Sequence, residues 1–323
     1  MLSKALLRGL GYKVIHSIGK GSHGEVVLAK SWKYPENVAI KIVDKKVAPP
    51  DFVSKFLPQE LSVIKTIEHP NIIKVHKIHE ISDRLVFIVM ELAVKTLEQK
   101  IGLCRLPNDE AKVLFSQLAS AVNYLHERDI VHRDLKCPNV LLTAEDTVKL
   151  SDFSFSGYYK GLSKTFVCSP AYAAPEVLNL IPYDPKKSDV WSLGVTLNCM
   201  VTGSIPFNNE DMSSFLSSQR APIHFPFHII LDKQCRDLIT DMLKYNPLDR
   251  PSISEVANHP WLQSRKQDEL SETPDESLFV AGSSLKMKKA EDIQQQLHST
   301  KEQDKGVLSP IKSFFKWIAG KIF

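Results

Sequence analysis

The stretch Ile130-Val-His-Arg-Asp-Leu-Lys-Cys-Pro-Asn139 decides how this chain is read. Eighteen residues after Asp134 comes Leu150-Ser-Asp152-Phe153-Ser154. Ala174-Pro-Glu176 closes the loop that follows, and Asp189-Val-Trp-Ser-Leu-Gly194 begins a helix beyond it. A His-Arg-Asp triplet alone is a common accident. The run HRDLKxxN, followed by a separate Asp-Phe and then Ala-Pro-Glu, is not.

Toward the N-terminus, Gly19-Lys20-Gly21-Ser22-His23-Gly24 places glycines at positions one, three and six. Backbone without Cβ atoms can approach phosphates closely. Alone, the pattern reads equally well as a glycine-rich hairpin turn. A dinucleotide site needs a helix directly after Gly24, and Glu25-Val26-Val-Leu-Ala29 reads as a strand, so that reading fails. No GxxxxGK[ST] occurs, which removes the P-loop route. Lys41 ends Val38-Ala39-Ile-Lys41, and Glu60 lies nineteen residues further on, beside Leu57, Leu61 and Ile64. Each alone reads as a structural or surface charge. A charge beside an apolar stripe needs a partner or water. Behind the glycine loop, the two read as an ion pair that leaves the ammonium to meet phosphate oxygens.

The surrounding pattern predicts an α+β fold. Tyr12–Ile18, Val26–Ala29 and Val38–Val43 read as strands separated by turns, and Leu85–Met90 as a buried strand. Leu57, Leu61, Ile64 and Ile67 predict a helix over 51–68, with Pro58 tolerable only near its start. Beyond residue 107, Ala111, Leu114, Phe115, Leu118, Ala121, Val122 and Leu125 form one helical stripe. Further helices are expected over 187–202 and 231–245. A small β-rich unit is thus followed by a larger helical one.

Composition narrows the function classes. The chain has 323 residues, 43% hydrophobic and 24% charged, which excludes wholesale disorder. A net charge of +4 is too slight for a nucleic-acid footprint. Five scattered cysteines without CxxC exclude a disulfide framework or zinc site and fit a reducing compartment. No apolar run reaches the ~18 residues of a membrane span, and no secretory signal is visible. The expected location is the cytoplasm, with the nucleus left open. Residues 263–310 are expected to be a disordered acidic and polar linker. In 311–323, Ile311, Phe314, Phe315, Ile318 and Ile322 share one helical face opposite Lys312, Ser313 and Lys316. That segment could dock on the catalytic unit, meet a membrane surface or partner, or stay unstructured.

The motifs together resemble the eukaryotic protein kinases over about residues 12–262. Ala48-Pro-Pro-Asp-Phe52, Lys55-Phe-Leu-Pro-Gln-Glu60, Ser151-Asp-Phe-Ser-Phe155, Leu162-Ser-Lys-Thr-Phe166 and Ser169-Pro-Ala-Tyr-Ala-Ala-Pro-Glu176 look like the testis-specific serine/threonine kinases, of the calcium/calmodulin-kinase-like group. The resemblance implies a bilobal fold, with an N-lobe over about 12–92 and a C-lobe over about 93–262. It implies transfer of the ATP γ-phosphate to Ser or Thr hydroxyls of protein substrates, and a role in male germ-cell differentiation.

The same resemblance assigns roles residue by residue. Gly19, Lys20, Gly21, Ser22, His23, Gly24 and Glu25 would cover the phosphates, and Ile18, Val26 and Ala39 the adenine. Met90 would guard the back pocket, with Glu91 and Ala93 as hinge contacts. Lys41, oriented by Glu60, would hold the α/β-phosphates, and Asn139 and Asp152 would hold Mg²⁺. Asp134 would accept the substrate proton, and Lys136 would neutralise the transferring group. Thr165 resembles an activating phosphosite facing Arg133, Ser169 the hydroxyl that meets the catalytic Asp and Lys, and Glu176 the partner of Arg250. The expected partners are protein substrates and an upstream kinase or chaperone, with a monomer as default.

Five departures stand out. Ser154 replaces the glycine of Asp-Phe-Gly, as in the testis-specific kinases. Cys168 replaces a glycine, so a positive φ there would strain the peptide-binding loop. The loop Val94-Lys-Thr-Leu-Glu98 lacks an obvious acid for the ribose, although Glu98 could substitute, and Pro138 replaces an acid that can meet basic substrates. Only weak selection for an upstream arginine is therefore expected. The activation loop is also short. These changes keep open a second class, a pseudokinase scaffold that binds partners without catalysis.

Overall fold

The computed structural model describes residues 2–21, 23–102, 104–208 and 211–263. Ser22, the linker and the C-terminal amphipathic segment lie outside the described residues.

Helix α1 (Leu2–Gly9) precedes strands β1 (Tyr12–Gly21), β2 (Gly24–Ser31) and β3 (Val38–Asp44). Helix α2 (Leu57–Ile64) then leads to β4 (Val75–Ile81) and β5 (Leu85–Glu91). The five strands form one antiparallel sheet in the order β1-β2-β3-β5-β4. Alternation along β3 and β5 divides the side chains between two faces. Val38, Ile40, Ile42, Leu85, Phe87 and Val89 join one apolar cluster with Leu7 of α1. Lys41 has the opposite parity, so it points to the other face, toward α2. Neither α1 nor β4 was expected from the sequence. The first is short and interrupted by Lys4 and Arg8, and the second mixes His76, Lys77, His79 and Glu80 among its apolar residues.

The helix expected over 51–68 is shorter and composite. A wide turn at Phe52–Phe56 precedes α2, whose first turn accommodates Pro58. Thr66 ends it, its N–H and hydroxyl both donating to the Val63 carbonyl at 2.9 Å.

The C-terminal half is largely helical, as expected. It opens with β6 (Lys95–Thr96), α3 (Leu97–Ile101) and α4 (Asn108–Glu127), whose predicted stripe is buried. Four short strands follow: β7 (Ile130–Val131), β8 (Val140–Leu142), β9 (Val148–Leu150) and β10 (Gly157–Tyr158). They bracket the catalytic-type loop, β10 pairing with β7 and β8 with β9. After α5 (Pro175–Leu178), α6 (Pro185–Thr202) is buried along most of its length, its polar Asp189, Ser192, Thr196 and Asn198 included, so those groups need hydrogen-bond partners inside the protein. Residues 208–218 belong to a second compact unit, whose described part includes α7 (Met212–Ser218).

Helix α8 (Lys233–Met242) and the residue after it pack closely on α6. A Cβ on Gly194 would meet Leu243 at 2.9 Å, so this crossing needs a glycine. The expected Glu176–Arg250 pair forms twice, at 2.6 and 2.8 Å, and the Arg250 guanidinium lies over Trp191. Buried forked pairs of this kind fix geometry as well as charge.

Candidate active site

The glycine loop is the tip of the β1–β2 hairpin, where Gly21 faces Gly24. The three glycines have different reasons to be there. Gly24 has φ +148°, and a Cβ on it would lie 2.3 Å from the Ile42 carbonyl oxygen, so the fold itself demands glycine. A Cβ on Gly21 would meet nothing within 4 Å, and one on Gly19 only Val26 at 3.9 Å. Among the described residues no neighbouring atom therefore demands glycine at either position. His23 anchors the tip by stacking on Phe52, with ring centroids 4.3 Å apart, and meeting the edge of Phe155 at 5.3 Å. Burial, then Lys41, lowers its pKa, so it packs as a neutral ring. Below the loop, Ile18 remains half exposed, while Val26 pairs with Lys41 and Ala39 with Met90 across the sheet.

Lys41 Nζ lies 2.6 Å from Glu60 Oε1, 2.9 Å from Ser154 Oγ and 3.5 Å from Asp152 Oδ1. Burial alone would lower the Lys41 pKa, but Glu60 and Asp152 outweigh it and raise it. Burial pushes Glu60 up against the pull of Lys41, and its Oε2 has no hydrogen-bond partner among the described residues. Asp152 is held well below the usual carboxylate range; burial opposes this, but Lys41 and the Ser154 hydroxyl prevail. At neutral pH the site therefore presents a lysine cation and an aspartate anion.

The loop after β7 is held from α6. The Asp189 carboxylate accepts the backbone N–H groups of His132 and Arg133 at 2.9 and 2.8 Å and meets His126 Nε2 at 3.0 Å. The His132 ring meets the Ser151 carbonyl at 3.0 Å and packs against Phe153. Asp134 then sits at a junction. Its Oδ2 lies 2.9 Å from Asn139 Nδ2 and 2.8 Å from Lys136 Nζ, and its Oδ1 accepts the Ser169 hydroxyl at 2.7 Å. Lys136 also donates to Ser169 at 2.7 Å. Arg133 and Asp152 hold left-handed φ values of +65° and +60°. Non-glycine residues keep such strained backbone only where their surroundings enforce it, commonly at functional sites.

The structure brings Lys41, Glu60 and Asp152 into one set of polar contacts and Asp134, Lys136, Asn139 and Ser169 into another. Thr165 and Arg133 are arranged less directly. Arg133 Nε donates to the Phe155 carbonyl at 2.5 Å and Nη1 to the Tyr159 hydroxyl at 2.6 Å, while its buried Nη2 has no partner among the described residues. The Tyr159 phenol, its pKa lowered by Arg133 and Thr165 against burial, stands between the two expected regulatory residues. At the expected hinge, the Glu91 N–H donates to the Lys74 carbonyl, its carboxylate accepts the Lys74 N–H and meets Lys149, and the residue pairs with Val38 across the sheet. The strain anticipated at Cys168 is absent, because its φ is not positive. Burial, then the Asp134 charge, pushes its thiol up to about 12, so it stays protonated at neutral pH.

Asn139 and Asp152 offer oxygen donors, the chemistry a hard divalent cation prefers. Among the described residues no group of three or more His, Cys, Asp or Glu side chains could hold a metal ion. Asn139 and Asp152 thus fit a hard cation such as Mg²⁺ by the chemistry of their oxygens, and among the described residues they do not form a dedicated protein cage.

Sequence reasoning missed His23 as an anchor, Tyr159 at Arg133 and the roles of Asp189 and Ser154. Asp189 had a signal, its place in a quoted motif; the others depend on contacts between distant segments.

Residues 12–262 match the protein kinase domain. The chain is 45% identical over 277 residues to testis-specific serine/threonine-protein kinase 2 of Mus musculus, covering 83% of this chain and 77% of that protein. It is 42% identical over 260 residues to testis-specific serine/threonine-protein kinase 3 of Homo sapiens, covering 79% and 97%. With the probable serine/threonine-protein kinase MARK-A of Dictyostelium discoideum it shares 37% identity over 279 residues, covering 85% and 26%.

Proposed function

Because this chain belongs to the protein kinases, as a serine/threonine kinase of the testis-specific family, we propose that its Asp134 junction directs γ-phosphate transfer from MgATP to a Ser or Thr hydroxyl of a protein. The observation that carries this reading is the fixed Asp134 carboxylate, held by Asn139, Lys136 and Ser169. Phosphoryl transfer passes through a loose transition state, so the protein mainly positions reactants and stabilises charge. ATP would lie under Gly19, Gly21 and Gly24, its adenine against Ile18, Val26 and Ala39 and within reach of the Glu91 carbonyl and Ala93. Lys41, oriented by Glu60, would hold the α- and β-phosphates.

Asp134 would aim the substrate oxygen and accept its proton, while Lys136 would offset charge on the transferring group. Asn139 gives its amide hydrogens to the backbone and side chain of Asp134, so its carbonyl oxygen is the atom left for a cation, beside Asp152. A Mg²⁺ ion held there would neutralise phosphate charge. The test is transfer of labelled phosphate from MgATP to a general protein substrate, in parallel with Asp134→Asn. Abolished labelling in the variant supports the reading; undiminished labelling refutes the base assignment.

Three finer readings go with it. A Thr165 phosphate would find the unpartnered Arg133 Nη2. Weak selection for an upstream arginine follows from Pro138 and the short post-hinge loop; strong selection on a peptide array would overturn it. A role in male germ-cell differentiation rests on the names of the relatives, and sperm formation left intact by loss of the protein would refute it.

A further inference from the structure

We propose that Ser154 is a positioning residue that decides which oxygen of Asp152 is presented to the metal ion. Its side chain is buried, only 1% of the residue being exposed. Its Oγ donates to Asp152 Oδ1 at 2.6 Å and accepts from Lys41 Nζ at 2.9 Å. A hydroxyl carries one proton, so giving it to Oδ1 leaves only lone pairs toward the ammonium, and the rotor is fixed by both neighbours. Lys41 reaches the same Oδ1 at 3.5 Å. Oδ1 is therefore the oxygen engaged with the protein, and Oδ2 is the one left for a cation.

A carboxylate turns easily about its terminal torsion, which is broad and roughly two-fold. Here the backbone of Asp152 is already in a strained left-handed conformation, and Phe153 is fixed against the His132 ring. The Ser154 hydroxyl adds the missing constraint on the carboxylate plane. Glycine at this position has no side chain to do so. The serine thus restrains the metal ligand as well as the backbone around it.

The inference rests on the reading that Asp152 binds Mg²⁺, and the experiment separates the two. Binding of the fluorescent nucleotide mant-ADP to the full chain is measured with and without MgCl₂, for the parent, Ser154→Ala and Ser154→Gly. The parent should bind more tightly with Mg²⁺. Both variants should lose about fivefold or more of that tightening, the effect of one charge-assisted hydrogen bond, while their metal-free affinity stays within about twofold. The Mg²⁺ concentration for half-maximal phosphotransfer should rise in step, with kcat largely recovered at saturating metal. Variants with parental Mg²⁺ tightening overturn the role of Ser154 alone. A parent without any tightening overturns the metal reading with it. Failure of both variants to fold assigns the hydroxyl to the scaffold and also overturns the proposal.

Discussion

Asp189 and Arg133, 56 residues apart in sequence, are joined by a 2.8 Å hydrogen bond from the Arg133 N–H to the Asp189 carboxylate. One buried anion on α6 thereby holds the backbone of Arg133, at its positive φ, directly before Asp134. Removing that hold should disturb fold and chemistry together. In Asp189→Asn one acceptor oxygen becomes a donor facing groups that already donate. The expected cost is about 3 kcal/mol of stability in urea denaturation, with a large fall in kcat. Unchanged stability would remove Asp189 from the account.

The same residue predicts a pH dependence. Burial would raise the Asp189 pKa, but hydrogen bonding to His126, then the charges of His126 and His132, brings it below its ordinary value. A depressed folded-state pKa stabilises above the unfolded value, ~4, and that stability is lost as pH falls through the lower folded value. The stability gap between parent and Asp189→Asn should therefore narrow as pH falls below about 4. Urea melts across this range measure it, and a gap independent of pH would count against the charge.

The two kinds of glycine in the loop should separate experimentally. Gly24→Ala places a Cβ against the Ile42 carbonyl at a positive φ and should cost about 2 kcal/mol or more. Gly21→Ala meets no protein atom within 4 Å. Its melting temperature should stay within about 1 °C of the parent, while KM for ATP rises several-fold. Equal effects of both on stability would refute the distinction.

Lys41 and Glu60 form a buried pair whose members should not be equivalent in function. Lys41→Met removes the cation proposed to hold the phosphates and leaves Glu60 without its partner; kcat/KM should fall on the order of 10²-fold or more. Glu60→Gln keeps shape and an acceptor, so a fall of about tenfold is expected. Steady-state kinetics with a peptide substrate decide, and a more damaging Glu60→Gln would reverse the assignment.

Thr165→Ala should lower activity on the order of tenfold, with phosphate found on Thr165 of the active parent by mass spectrometry. Equal rates in parent and variant would reject the phosphosite. Tyr159→Phe, which removes the hydroxyl 2.6 Å from Arg133 Nη1, tests whether Arg133 needs its phenol partner as well.

Much of this protein was determined by its amino-acid order alone. Residue-type constraints survive without a structure: Asp134, Lys136 and Asn139 lie within six positions, and metal, base and lysine roles admit few substitutes. The strands β3 and β5 and the stripe on α4 were legible because their apolar periodicity is strong. Helix α1 and strand β4 were not, because their burial depends on a sheet assembled from distant segments. Tertiary structure alone decided that Asp189 holds the catalytic loop, that Tyr159 occupies Arg133, that His23 anchors the glycine hairpin and that Ser154 bridges Lys41 and Asp152. The physical reason is common to all four. A hydroxyl, a ring or a carboxylate has no fixed role until folding removes water and brings its partner within a few ångströms.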